Sequence, residues 1–229
     1  MDIQEFFLRL DDPLYTNPEF PTMVAAGAIL VNAAGERFVK ETADYDQVFT
    51  AALNQPSQEV YIVFDDSVAQ QFTEWPNHIS TYGKNGKVWA YLEDYLATDA
   101  LVRASSVSSL AELVGFPQES FEQTMQTFRS GVDIDGVRMD QFGRQEHRHS
   151  MDTPPYYALG PVRPYSVITD GGIAVTPEMQ ALDTNNSPIE GLYVAGSAAG
   201  DVLLFGHGHH HSWTFTSGRL AGKAVVSGE

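Results

Sequence analysis

The chain has 229 residues, 30 acidic against 13 basic side chains, a formal charge of −17 and no cysteine. That balance argues against nucleic acid or an anionic membrane surface as a partner, since both demand a basic footprint. The missing cysteine excludes disulfides, thiolate catalysis and thiolate-bound metal. No apolar run approaches the roughly 20 residues of a bilayer-spanning helix. The opening MDIQEFFLRLDD does not read as a signal peptide. The expectation is a cytoplasmic protein acting on a small-molecule substrate.

Residues 1–24 are proline-rich (Pro13, Pro18, Pro21) and read as irregular. Gly27–Asn32 is an apolar run closed by an Asn-Ala-Ala-Gly turn, and Arg37-Phe38-Val39 reads as the second strand of a hairpin-like pair. From Ala43 the apolar spacing becomes helical through Tyr45, Val48, Phe49 and Leu53. QEVYIVF, ending at Phe64, is the clearest buried strand of the front half, and Asp65 or Asp66 offers an N-cap for the helix after it. Ala104–Gly115 reads as a helix capped by Ser105 or Ser106 and stopped by Gly115. Pro117 opens another, burying Phe121, Met125 and Phe128 and ending at Gly131. Residues 131–155 read as a polar loop, with Arg144, His147, Arg148 and His149 as an exposed cluster. Tyr156 and Tyr157 suit packing better than catalysis, and Pro161–Pro164 is a short extended segment. The composition shifts near residue 165, so domains are expected at 1–165 and 166–229.

The second domain leads to the stretch Gly191–Gly222. Leu192–Ala195 reads as a short buried strand, Gly196–Gly200 as a turn of small residues, and His207, His209, His210 and His211 as part of a long loop. Ser212 opens a final helix with Trp213, Phe215, Leu220, Ala224 and Val225 as its apolar positions. Small residues admit a ligand close to the backbone, and free N–H groups at a helix start attract oxygens. The histidines suit proton donation, a solvated loop or, less well, metal binding, since adjacent imidazoles seldom converge on one centre. No G-x-G-x-x-G fingerprint is present. Residue patterns alone therefore support an α+β protein with a ligand-like glycine and histidine segment.

Several motifs taken in order carry more. GAILVNAAGERFVKE (Gly27–Glu41), SSLAELVGFP (Ser108–Pro117), DQFGR (Asp140–Arg144), PPYYAL (Pro154–Leu159), TDGGIAV (Thr169–Val175), SPIEGLYVAGSAAGD (Ser187–Asp201) and GRLAG (Gly218–Gly222) resemble successive landmarks of one family. It is the fumarate reductase/succinate dehydrogenase flavoprotein family, which includes ketosteroid dehydrogenases. The resemblance implies a capping (lid) domain followed by the C-terminal return of a split FAD-binding domain. The N-terminal dinucleotide half would be missing, which makes the chain a fragment, a truncated gene product, or one piece that needs a partner chain or domain to supply that half. It also implies FAD as cofactor.

By the same resemblance, Gly171 and Gly172 would lie against the flavin, Gly196 and Ser197 would approach its ribityl and pyrophosphate region, and His211, Ser212 and Trp213 would present helix N–H groups to it. Tyr45 stands where fumarate reductases carry a catalytic arginine and resembles the tyrosine of ketosteroid dehydrogenases. Ile168 stands in place of a substrate-binding histidine, and FGHGHHHSW in place of a carboxylate clamp. Fumarate is therefore disfavoured, because a dicarboxylate needs cations to hold it. The implied reaction is hydride transfer at a carbon beside a carbonyl of a ketosteroid- or enoate-like substrate, with Tyr45, His207, His209 or His210 handling the proton and Arg163 as a remaining anion holder. The rivals are a non-catalytic lid remnant that binds a partner or small molecule without flavin, and a metalloprotein built on the histidines.

Overall fold

The computed structural model describes residues 3–10, 18–80, 88–134, 137–145, 150–169, 172–200 and 209–227. Gly171, His207, His147, Arg148 and His149 lie outside them. The chain divides into two compact units, Phe7–Tyr165 and Ser166–Glu229 with Met1–Phe6.

Most of an antiparallel sheet belongs to the larger unit; its strands at residues 3–10 and 156–169 each run on into residues grouped with the smaller one. Strands β1 (Ile3–Leu10), β2 (Ile29–Asn32), β3 (Val60–Asp65) and β7 (Tyr156–Thr169) lie in the order β1-β7-β3-β2, with β4 (Leu101–Ala104) also on β7. Ile29 faces Val63 across β2 and β3, Val63 faces Ala158 across β3 and β7, and Val102 faces Ala158 from β4. Alternate residues serve opposite faces. Leu30, Ile62, Phe64 and Leu159 join one core with Phe20, Val48, Val68 and Tyr95. Ile29, Val31, Val63 and Ala158 join another with Leu110, Phe121, Met125 and Phe128. Helices therefore cover both faces, which is why the strands read as unbroken apolar runs rather than as an alternation.

The first core draws on α1 (Phe20–Ala26), α2 (Tyr45–Leu53), α3 (Asp66–Ala69) and α4 (Leu92–Leu96). The second draws on α5 (Val107–Val114) and α6 (Gln118–Ser130). Local signals set the ends of α5 as expected. The Ser106 hydroxyl accepts from Ser109 N at 3.1 Å, and Gly115 takes the left-handed conformation at φ +89°. Asp65 likewise caps α3, accepting from Val68 N.

Four sequence expectations need correction in this unit. The first residues are not irregular: they hold β1, and Pro21 sits in the first turn of α1, where a missing N–H costs nothing. Arg37–Val39 is not a strand, because β2 pairs with β3 and the Arg37 side chain is drawn into a buried ion cluster. Segment 131–155 contains a small hairpin, β5 (Val132–Ile134) with β6 (Val137–Met139), and Arg144 within it is fully buried rather than exposed. Pro161–Pro164 is part of the 14-residue β7 rather than a short segment of its own.

In the smaller unit, β8 (Gln180–Leu182) pairs antiparallel with β9 (Pro188–Tyr193). Their turn is fixed by Asp183, whose Oδ1 accepts from Asn185 N and Ser187 N at 2.8 Å each. Ile173 and Val175 make isolated bridges, to Ala199 and Ala181 respectively. A 3-10 turn, Gly196–Ala198, leads on toward α7 (His209–Ser227). Two further expectations fail here. Leu192 is 45% exposed, so its strand is not buried, and only Val194 reaches the small core with Ala181 and Ala199. The backbone of His209–His211 forms the first turn of α7 rather than a loop. Among the described residues no helix is long and apolar enough to cross a membrane.

Candidate functional site

The larger unit carries a buried charge cluster that organises the segment leading to Tyr45. Glu41 Oε1 accepts from Arg37 Nε at 2.8 Å and from Leu30 N at 3.1 Å, and its Oε2 accepts from Arg37 at 2.7 Å and Arg144 at 3.3 Å. Arg37 also donates to Asp140 Oδ2 at 2.7 Å. Asp140 Oδ1 in turn accepts from Phe142 N and Arg144 N, which shapes the DQFGR loop. Arg144 reaches past the carboxylates to the carbonyls of Val24 and Ala28, satisfying the end of α1. Burial works against the charge of Arg37, but the Glu41 and Asp140 carboxylates outweigh it and hold the guanidinium above its usual range. Burial also opposes the Asp140 charge, and there Arg37 and two backbone N–H donors prevail, lowering its pKa. For Arg144 burial wins and lowers the pKa. Two guanidiniums and two carboxylates balance, and this is how buried charge is tolerated. GERFVKE and DQFGR thus meet in space. Sequence reading had matched both as motifs without linking them.

Downstream of this anchor, Tyr45 is the first residue of α2 and is 42% exposed. Phe20 meets its ring edge-on at 6.3 Å. Partial burial, then the Glu19 carboxylate, pushes the Tyr45 hydroxyl up to about 12. At neutral pH it is a neutral phenol, as an unperturbed tyrosine is, and its ionisation to a phenolate base is disfavoured further. Arg163 is held by Glu59 at 2.5 Å, so its charge is already matched. Tyr157 is buried and stacked on Phe64 at 5.2 Å, in keeping with a packing role.

The smaller unit places the turn at Gly196 directly on α7. Gly196 N donates to Ser217 Oγ at 2.8 Å, and Trp213 Nε1 donates to Gly196 O at 3.1 Å. Ser217 in turn donates to Trp213 O at 2.6 Å. Gly196 and Trp213 therefore hold each other, while Ser197, His211 and Ser212 remain exposed. Gly172 lies against Gly200: a Cβ on Gly172 would come within 2.6 Å of Ala198 O and 2.8 Å of Gly200 N. That glycine is required by backbone packing whatever else it meets. Among the described residues, no group of three or more His, Asp or Glu side chains could hold a metal.

Comparison with known proteins agrees with this architecture. The family described as "FAD binding domain" matches residues 20–210, and the chain belongs to that family. Its cofactor is FAD. A probable fumarate reductase of Shewanella frigidimarina is 30% identical over 209 residues, covering 90% of this chain and 29% of the relative. A 3-oxosteroid 1-dehydrogenase of Mycolicibacterium smegmatis is 28% identical over 200 residues, covering 77% of this chain and 34% of the relative. The open conformation of a flavocytochrome c3 fumarate reductase superposes with a TM-score of 0.70 at 26% identity, covering 96% of this chain and 36% of that one. The chain thus spans about a third or less of the curated relatives named here.

Proposed function

We propose that residues 1–165 are the capping domain, and 166–229 the C-terminal part of the FAD-binding domain, of an oxidoreductase acting on a carbon beside a carbonyl. The substrate class is ketosteroid- or enoate-like. Bound FAD supplies the hydride chemistry. The residues of the smaller unit fit its edge: the exposed Ser197, His211 and Ser212 are polar, and the turn at Gly196 is clamped against α7 by Trp213 and Ser217. An N-terminal dinucleotide-binding chain or domain completes the site. The apolar side chains left open on α7, Phe215 at 78% and Val226 at 88% exposure, support such a partner.

The observation that carries the chemical reading is Tyr45. Its phenol stands half-exposed at the head of α2, with its ring edge-on to Phe20, a few residues beyond the buried Arg37–Glu41 pair. A positioned hydroxyl can hand a proton to, or take one from, the carbon next to the one that exchanges hydride with the flavin. Mixing the chain with the N-terminal FAD half of a related enzyme, with flavin absorbance as readout, tests the assembly. Stable flavin binding is expected only in the mixture. In the reconstituted enzyme, Tyr45→Phe is expected to lower turnover by about 10²- to 10⁴-fold. Unchanged turnover removes Tyr45 from the mechanism.

A further inference from the structure

Next to Phe20, whose ring meets Tyr45 edge-on, lies a surface strip. Three short segments, 18–20, 78–80 and 88–90, are stitched together by backbone hydrogen bonds. Glu19 N donates to Ile79 O at 2.6 Å, Ile79 N to Ala90 O at 2.8 Å, and Ala90 N to Ser80 O at 2.9 Å. This frame holds a row of side chains. The Glu19 carboxylate lies 3.8 Å from His78 Nε2, the His78 ring 6.0 Å from Trp89, and Trp89 4.8 Å from Trp75. Trp75 is 62% exposed, and Val88 and Trp89 are also open. His78 Nδ1, shielded from solvent, has no hydrogen-bond partner among the described residues. Two adjacent indoles facing water on a backbone-braced frame form an apolar patch of the kind that marks a ligand surface. The two indoles touch each other at a 42° tilt, so a ligand stacks on them rather than between them.

We propose that Trp75, Trp89, His78 and Glu19 form a binding platform for a flat, ring-bearing ligand that carries no carboxylate, which narrows the substrate class above to its uncharged, ketone-bearing members. The indoles hold the ring, and Glu19 repels an anionic substituent placed at the Tyr45 end of the strip. The proposal rests on the reading of Tyr45 as the proton-handling residue, since Phe20, next to Glu19 in the chain, packs its ring against Tyr45.

Calorimetric titration of the full chain tests it with three probes: 4-ethylphenol (a ring without carboxylate), 4-ethylbenzoate (a ring with one) and succinate (carboxylates without a ring). 4-Ethylphenol is expected to bind saturably at a single site and to quench tryptophan fluorescence, and succinate is expected not to bind. Trp75→Ala and Trp89→Ala should each weaken 4-ethylphenol about tenfold, whereas Trp89→Phe, which keeps an aromatic face, should stay within about threefold. Glu19→Gln should bring 4-ethylbenzoate close to the affinity of 4-ethylphenol. No binding of 4-ethylphenol, equal affinity in the tryptophan variants, or succinate binding as tightly as the ring would each overturn the platform. Tyr45→Phe separates the two readings. It should leave 4-ethylphenol binding intact, so a failure of the proton-handling role appears only in turnover and a failure of the platform only in binding.

Discussion

Among single residues, Glu41 has the most consequence in the larger unit. It accepts from Leu30, Arg37 and Arg144 at once, and its removal leaves two buried guanidiniums facing one carboxylate. Glu41→Ala is expected to cost about 3–5 kcal/mol, the usual penalty for breaking a buried pair, read as a shift of the urea midpoint. Tyr45 gives a pH signature as well. A phenol whose pKa is raised in the fold from 10.0 to about 12 lends stability that is fully present below pH 10 and lost as the pH climbs toward 12. Tyr61 and Tyr157 are raised too, by burial first and then by Glu59 and Asp66 respectively. Tyr45→Phe should therefore make the alkaline decline in melting temperature shallower without abolishing it.

At the scale of elements, legibility depended on whether a signal was local. The ends of α5 and the buried face of α6 followed from Ser106, Gly115, Phe121, Met125 and Phe128, because caps and helical spacing act within a few residues. Arg37–Val39 was misread as a strand because its conformation is decided by Asp140, over a hundred residues away. The bridge between Ile173 and Ala199 depends on the Gly172–Gly200 contact in the same way. Gly172→Ala would drive a methyl into the Ala198 carbonyl, a cost that outweighs the roughly 0.4–1 kcal/mol a Gly-to-Ala change gains where the new side chain fits. Limited proteolysis should show faster cleavage within Ser166–Glu229 for this variant than for the parent chain.

For the whole molecule, the two units differ in how completely they bury their apolar side chains. The larger closes cores on both faces of its sheet. Among the described residues, the smaller has a core cluster of three buried residues and leaves Phe215, Val225 and Val226 open. A chain with such a face should self-associate when isolated. Phe215→Ser combined with Val226→Ser is expected to reduce that association in sedimentation velocity and to weaken recruitment of the complementary FAD half.

Sequence by itself determined the helices with local caps, the strand at Val60–Asp65, the ordered family motifs and, through them, the cofactor. It also marked Tyr45 as the position where this chain departs from a fumarate-type arginine. Each of these rests on neighbours within a turn or on a recognisable string of residues. Only the tertiary structure decided that Arg37, Glu41, Asp140 and Arg144 form one buried cluster, that Tyr45 opens α2 with its ring against Phe20, and that Glu19, His78, Trp89 and Trp75 line up nearby. Those facts depend on side chains brought together by backbone bonds between segments far apart in the chain. Composition and periodicity carry no record of such distances.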